Sequence, residues 1–314
     1  MAITVRDLTK TYGSQKAVDS ISFDVKSGEI LGFLGPNGAG KTTTMKIITC
    51  YMPQTSGTVE VDGLSTVDNS LDVRRKIGYL PENNPLYHEM NVIEYLEYAA
   101  QLHGMKGTQI ARRIREMVHV CGLEGVRHKD IGELSKGYRQ RVGLAQAMIH
   151  EPDVLILDEP TSGLDPNQIV EIRNLIKQLG RAKTVILSTH ILSEVQATCD
   201  RVLIINDGKI VADGTPEKLR ADFRGSESLT LELQTGSTDP LAQIAPRLRS
   251  LPGVGSVELL GQQNGAARFE LHVEKGVDVR ESAFRMAVAE GWIILEMQRK
   301  ATTLEEVFHK LTTS

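Results

Sequence analysis

The chain has 314 residues, 40% hydrophobic and 24% charged, a globular composition long enough for two domains or one large and one small. Its formal net charge of -4 gives no electrostatic argument for nucleic-acid binding. No run approaches the roughly 18 consecutive apolar residues of a membrane span, and the N-terminus lacks the apolar core of a secretory leader. Cys50, Cys121 and Cys199 are too few and too scattered for a disulfide framework or a zinc set, which fits a reducing cytoplasm.

Taken in order, Ile3 to Leu8 and Ile21 to Val25 are predicted strands, with Lys10-Thr11-Tyr12-Gly13 between them. Tyr12, an aromatic just before a glycine turn, could stack on a nucleobase; packing is the plainer reading of one tyrosine. Ile30, Leu31, Phe33 and Leu34 then make an apolar run suited to a buried strand. Gly35-Pro36-Asn37-Gly38-Ala39-Gly40-Lys41-Thr42 follows and fits G-x-x-x-x-G-K-[ST], the phosphate-binding loop. Thr43 to Ile48 continues as a helix. Strand, glycine-rich turn and helix N-terminus together aim backbone N–H groups and a helix dipole at an anion. Lys41 would reach the β- and γ-phosphates, and the Thr42 hydroxyl would ligate Mg²⁺.

Ser56 to Gly63 is a short strand bounded by turn residues, and Arg74-Arg75-Lys76 is a solvated charged face. Ile77 to Leu80 is a strand stopped by Pro81, leaving Glu82 in the following loop. Residues 83–150 are predicted mostly helical. Val92, Ile93, Leu96, Ala99, Ala100 and Leu102 recur near helical spacing. Tyr79, Tyr87, Tyr95 and Tyr98 cluster there, as packing or as a partner surface. Ile110 to Val120 is a second amphipathic helix, with Arg112, Arg113 and Arg115 assigned to its polar side. Ser135 can N-cap a helix running through Val142 and Met148, and Ser135 with the Gly137 N–H could form a second anion site.

Val154-Leu155-Ile156-Leu157 is a fully buried parallel strand that ends on Asp158-Glu159. Strand ends of this kind are where ligands bind in open α/β sheets. Asp158 would hold Mg²⁺ through water, and Glu159 would orient and deprotonate the attacking water. Ser162-Gly163-Leu164-Asp165-Pro166 turns into a helix over Gln168 to Leu179. Thr184 to Leu187 is another buried strand, and His190 just beyond it could hydrogen-bond a γ-phosphate. Val202 to Ile205 and Lys209 to Val211 flank Asn206-Asp207-Gly208 as a hairpin.

The character changes near Phe223-Arg224-Gly225-Ser226. Strands over Leu229–Leu233, Val257–Leu260, Arg268–Val273 and Trp292–Met297 are expected, with helices over Leu241–Leu251, Val279–Ala289 and Leu304–Leu311. β-α-β-β-α-β is the ferredoxin-like order. This α+β domain, residues 226–314, shows no chemistry of its own; packing or dimerisation is its plainer role, and a regulatory ligand the alternative.

Over roughly residues 1–220 the motifs fall in one family's order, and the chain resembles the ATP-binding cassette subunit of an ABC transporter. The C-terminal piece and Ile77-Gly78-Tyr79-Leu80-Pro81-Glu82 resemble the exporter-type (ABC-2 type) subset, which includes multidrug and gliding-motility cassettes. The resemblance implies an α/β fold: a P-loop NTPase cassette with a RecA-like core, an antiparallel β subdomain and a helical subdomain near residues 83–150. It implies that Tyr12 stacks on adenine, that Gly35 to Thr43 is the Walker A loop, that Asp158 ends Walker B, and that Glu159 is the catalytic carboxylate. It places Ser135, Lys136 and Gly137 in the signature motif, Asp165 in the D-loop, and makes His190 the switch histidine.

In that family the signature motif faces the ATP of the other cassette. A head-to-tail homodimer with two sandwiched ATP molecules is therefore expected, with ATP and Mg²⁺ as ligands. A separate membrane-spanning permease would anchor it to the inner face of the membrane from the cytoplasm, and no nucleic-acid partner is expected. Two positions depart from the pattern. Glu82 stands where the family has Gln; a carboxylate can still ligate Mg²⁺ but only accepts hydrogen bonds. Lys136 replaces a signature glycine and Tyr138 a glutamine. Alternatives are a soluble ABC-type ATPase of repair or translation, and a regulatory subunit that binds nucleotide without hydrolysing it. Repair ATPases carry long heptad segments and translation types carry two cassettes, neither of which is present; Glu159 and His190 argue against the regulatory reading.

Overall fold

The computed structural model describes residues 1–222, 227–234, 239–274, 276–300, 305, 308, 311 and 312. Phe223-Arg224-Gly225-Ser226 and most of the helix expected over Leu304–Leu311 lie outside them. The elements run β1 (Ile3–Tyr12), β2 (Gln15–Val25), β3 (Ile30–Leu34), α1 (Lys41–Ile48), β4 (Ser56–Val61), β5 (Leu64–Ser65), α2 (Ser70–Lys76) and β6 (Ile77–Leu80). The helical stretch holds α3 (Val92–Leu102), α4 (Thr108–Val120) and α5 (Lys136–Met148). Next come β7 (Val154–Asp158), α6 (Pro166–Gly180), β8 (Thr184–Thr189), α7 (Leu192–Thr198), β9 (Arg201–Asn206), β10 (Lys209–Gly214) and α8 (Pro216–Asp222). The last are β11 (Glu227–Gln234), α9 (Pro240–Gln243), α10 (Ala245–Arg249), β12 (Val254–Gln263), β13 (Ala266–Val273), α11 (Arg280–Ala289) and β14 (Ile293–Lys300).

The chain divides into two units, Met1–Pro216 with Leu311–Ser314, and Glu217–Lys310. In the first, the described strands form two sheets. One is antiparallel, β2-β1-β4-β5; the other is ordered β10-β9-β3-β8-β7-β6, parallel throughout except for the β9–β10 hairpin. Strands β3 and β7 are buried at every residue because both faces of the parallel sheet are covered, one of them sharing a core with α1 and the antiparallel sheet, where Phe33 meets Phe23 with ring centroids 5.6 Å apart. The C-terminal ends of β3, β8, β7 and β6 therefore meet along one edge, carrying the phosphate loop, Thr189-His190, Asp158-Glu159 and Pro81-Glu82. In the second unit four antiparallel strands, ordered β12-β13-β11-β14, present Leu229, Leu231, Phe269 and Leu271 to a core completed by Leu248 and Ala283.

Arg74-Arg75-Lys76 is solvated as expected, exposed or half-exposed, at the end of helix α2, whose single buried residue, Val73, gave the sequence no periodic signal. Two other local expectations need correction. Arg113 is not on the polar side of its helix: it is 2% exposed and lies between α4 and the end of α5. The helix expected over Leu241–Leu251 is two short ones, because Pro246 cannot supply an interior N–H. The tyrosines divide between the two readings. Tyr95 is buried, whereas Tyr87 is exposed and packs edge-on against Tyr98 with ring centroids 5.6 Å apart.

Candidate active site

Helix α1 begins at Gly40, whose φ of 108° belongs to the left-handed region; a Cβ there would also meet the Ala17 carbonyl at 2.5 Å. Only glycine fits both conditions. No side chain caps this helix, so its first N–H groups are left for a ligand. Asn37, Gly38, Gly40, Lys41, Thr42, Thr43, Glu82, Glu159, Ser162 and His190 line a cavity of about 320 Å³. Gly35 and Pro36 turn their carbonyls onto Lys41 Nζ at 2.8 and 3.1 Å, and Ala39 is buried beneath the loop.

Opposite the loop, β7 delivers two buried carboxylates. Asp158 is 0% exposed. Burial holds its pKa above the ordinary value, against the hydrogen bond from Ser188 and the nearby Thr42 hydroxyl. Ser188 Oγ donates to Asp158 Oδ1, while Oδ2 has no partner. Glu159 has φ 49°, unusual for a side chain with a Cβ, and its N–H donates to Ser188 O at 3.1 Å. Its Oε2 lies 2.8 Å from His190 Nδ1, and its Oε1 lies 3.4 Å from Lys41 Nζ without a hydrogen-bond donor. Buried oxygens without partners are rare and expensive. Asp158 Oδ2, with no donor, and Glu159 Oε1, with only the Lys41 ammonium near it, are therefore suited to a cation and a water, and Thr42 and Glu82, which line the same cleft as Asp158, would offer further oxygens.

The remaining sequence candidates lie outside this cavity. Tyr12, 47% exposed, ends β1 with its hydroxyl 3.0 Å from Met52 Sδ and Lys10 Nζ 5.5 Å from its ring. Ser135 does cap α5, accepting from Tyr138 N–H at 3.4 Å. Lys136 reaches the Gly163 turn: a Cβ on Gly163 would stand 2.2 Å from Lys136 Nζ. Gly137 packs against the Gln168 carboxamide, which would lie 2.6 Å from a Cβ at that position. Asp165 caps α6, accepting from Asn167 and Gln168 N–H at 3.0 Å, so that helix starts at Pro166 and not at Gln168.

Several residues of the site carried no motif. Ser188 Oγ donates to the Asp158 carboxylate and accepts from the Glu159 backbone N–H at 3.2 Å, and Ser162 lines the cavity. Gln140 Nε2 donates to Pro160 O at 3.1 Å, and Thr161, Thr189 and Glu194 form a buried polar group behind His190. The available signal was position: hydroxyls closing an all-apolar strand face the same edge as Asp158. A wider cleft of about 660 Å³ shares Thr42 and Glu82 with the cavity and extends past Asp158, Tyr79 and Tyr95 to His103 and His150.

Comparison with known proteins agrees with this geometry. A family model described as "ABC transporter" matches residues 18–162, and one described as "AAA domain, putative AbiEii toxin, Type IV TA system" matches residues 130–195. The uncharacterized ABC transporter ATP-binding protein YxlF of Bacillus subtilis (strain 168) is 33% identical over 98% of this chain and 99% of its own. The daunorubicin resistance ATP-binding protein DrrA3 of Streptomyces coeruleorubidus is 31% identical over 99% of this chain and 96% of its own. A solved dimer of the ATP-binding cassette MJ0796, in a post-hydrolysis state bound to ADP and Pi, superposes with a TM-score of 0.63 at 28% identity, covering 68% of this chain and 98% of that one. With a relative matched end to end and the cassette fold in place, the chain belongs to the ABC transporter ATP-binding proteins and is an ATP-binding subunit with ATPase activity.

Proposed function

We propose that this subunit hydrolyses Mg·ATP as a head-to-tail homodimer and drives export through a separate membrane-spanning permease. The observation that carries the reading is Glu159: buried, bonded to His190 through Oε2, and with Oε1 free of any hydrogen bond and 3.4 Å from Lys41 Nζ at the cavity that the phosphate loop lines. Its position suits a base that takes the proton of the attacking water, with His190 holding it in place and facing the γ-phosphate. Thr42, Asp158 and Glu82 would hold Mg²⁺, which would neutralise charge on the phosphate oxygens. Lys41 and the α1 N–H groups bind the β- and γ-phosphates, and Tyr12 takes the adenine. Ser135, Lys136 and Gly137 lie off their own cavity beside Gly163 and Gln168, which supports their serving, with Asp165, the ATP of a second copy.

ATP would close the dimer because its γ-phosphate adds contacts available only in the closed state, and hydrolysis would remove them. The relative DrrA3 is named for daunorubicin resistance, which supports export as the direction. Among the described residues no helix is long and apolar enough to cross a membrane; kinship with transporter ATP-binding subunits supports a seat on a permease at the cytoplasmic face. The cleft from Glu82 to His103, with exposed Tyr87, is the proposed docking surface. For the boundaries we infer a cassette over 1–220 with its helical part near 83–150. The accessory domain over 226–314 we infer to be ferredoxin-like; its strand order β12-β13-β11-β14 with intervening helices supports that reading.

The test is steady-state Mg·ATP hydrolysis by the purified chain beside Glu159→Gln, with ATP-dependent dimerisation followed by light scattering. Hydrolysis lost in the variant together with a persistent ATP-bound dimer is expected. Hydrolysis retained in Glu159→Gln would remove Glu159 from the role of base. A strictly monomeric variant in ATP would remove the sandwich dimer.

A further inference from the structure

Glu194 sits on α7, four residues past His190, and is 2% exposed. Among the described residues its carboxylate makes no ion pair. Its oxygens are instead divided between two hydroxyls: Oε1 accepts from Thr161 Oγ1, and Oε2 accepts from Thr189 Oγ1 at 2.7 Å. Thr189 Oγ1 in turn accepts from Ile191 N–H at 3.0 Å. Thr161 stands two residues after Glu159, and Thr189 immediately precedes His190. One buried carboxylate thus ties the segment that carries the base to the segment that carries its histidine partner.

A carboxylate without a cation in the interior is costly, and an apolar side chain would serve stability better. The residue is explained by what it fixes. Glu159 occupies a left-handed backbone conformation that its surroundings must impose. Two anchors do so directly: Ser188 on the Glu159 N–H and Gln140 on the Pro160 carbonyl. Glu194 is the third, and the one that also reaches the β8 loop.

We propose that Glu194 is a positioning residue for ATP hydrolysis, which sets the spacing of Glu159 and His190 by holding Thr161 and Thr189 on one carboxylate. The proposal rests on Glu159 acting as the base. Nucleotide binding is made by the phosphate loop on another strand, so turnover is what Glu194 controls. A misplacement of about 1 Å at a reacting group costs on the order of a hundredfold in rate.

The test measures kcat for Mg·ATP and, separately, equilibrium ATP affinity, in wild type, Glu159→Gln, Glu194→Ala, Glu194→Gln, Thr161→Val, Thr189→Val and the double variant Thr161→Val with Glu194→Ala. Glu194→Ala is expected to lower kcat at least about tenfold with ATP affinity within about twofold of wild type. Glu194→Gln, which keeps one acceptor and gains a donor for the second hydroxyl, recovers part of the loss. Thr161→Val lowers kcat alone but adds nothing to Glu194→Ala, because the two act as one unit. An unchanged kcat in folded Glu194→Ala overturns the proposal, as do additive losses in the double variant or an equal loss of ATP affinity. If Glu194→Ala does not fold, the two valine variants decide: full activity in both overturns it. Retained hydrolysis in Glu159→Gln sinks the base assignment and this proposal together, whereas an inert Glu194 sinks only the latter.

Discussion

Lys41 and Glu159 face each other inside the fold: Nζ lies 3.4 Å from Oε1, and the side chains are 6% and 7% exposed. The ammonium also donates to Gly35 O and Pro36 O, so every one of these contacts comes from the walls of its own site. Lys41 therefore has two tasks. It neutralises a buried carboxylate before nucleotide arrives, and it is the cation that phosphates attract.

Lys41→Ala is expected to damage folding as well as binding. Removing one partner of a buried pair leaves an uncompensated charge, at a cost of about 3 kcal/mol. Urea unfolding of the nucleotide-free protein would measure it, and Lys41→Ala with Glu159→Gln should recover most of the loss because no charge is then stranded. Unaltered stability in Lys41→Ala would show that the pair is not coupled.

Asp158 carries the opposite trade between stability and function. Burial raises its pKa above 3.8, the Glu159 charge adds to the rise, and Ser188, Thr42 and Lys41 oppose it. For an acid, a raised folded pKa means that folding carries a cost above that pKa and none below 3.8. Asp158→Asn removes the charge and keeps an acceptor for Ser188. The nucleotide-free variant should melt higher than wild type at neutral pH, with the advantage shrinking as pH falls toward about 4, while Mg-dependent hydrolysis is lost. A lower Tm at neutral pH would count against burial as the cause of the shift.

Legibility in the sequence followed the range of each signal. Buried parallel strands have no polar face, so β3, β7 and β8 were visible as apolar runs whose ends located the phosphate loop, Asp158 and His190. The antiparallel β1 and β2 were seen only in part: they continue to Tyr12 and start at Gln15, through half-exposed residues with no clean alternation. Glu194 and Gln140 could not be found from the sequence, and Ser188 only by its place at a strand end, because their importance comes from residues 5 to 33 positions away that folding brings alongside. Arg113 failed for a related reason. Charge assigned it to solvent, whereas its hydrogen-bond partners lie across the chain at the end of α5.

His150 should make the protein acid-sensitive. Its ring stacks on His103 with centroids 3.7 Å apart, and Nε2 lies 3.1 Å from Ile77 O. Burial, with His103, Lys183 and Arg113 nearby, pushes its pKa down to about 4 from 6.5. A histidine held neutral in the fold is protonated first in the unfolded chain, so the stability it supports above 6.5 is lost as pH falls toward 4. His150→Phe should flatten the decline in unfolding free energy between about pH 7 and about pH 4.5, whatever it does at neutral pH. An equally steep decline in the variant would rule out His150 as the group that titrates.

Arg113 offers the sharpest test of how the helical region is held. Its Nε and Nη2 donate to the carbonyls of Ile149 and Met148 at 3.1 and 2.7 Å, at the end of α5, where the helix runs out of N–H donors and only Met148 O gains a turn bond, from Glu151 N–H at 3.1 Å. Its Nη1 reaches Glu151 at 3.1 Å, just before β7 starts toward Asp158. Glu116 and Glu151 are about half exposed, so the ion pairs contribute little. The carbonyls dominate. Arg113→Met fills the space but strands the Ile149 carbonyl and leaves Met148 O with the Glu151 N–H alone, for an expected loss of about 2 kcal/mol in urea unfolding. Hydrogen exchange should quicken first in the last turn of α5 and in β7. Arg113→Lys should not rescue, because one ammonium cannot span two carbonyls and a carboxylate as the guanidinium fork does. Full rescue by lysine would mean that charge, and not the fork, is what the site requires.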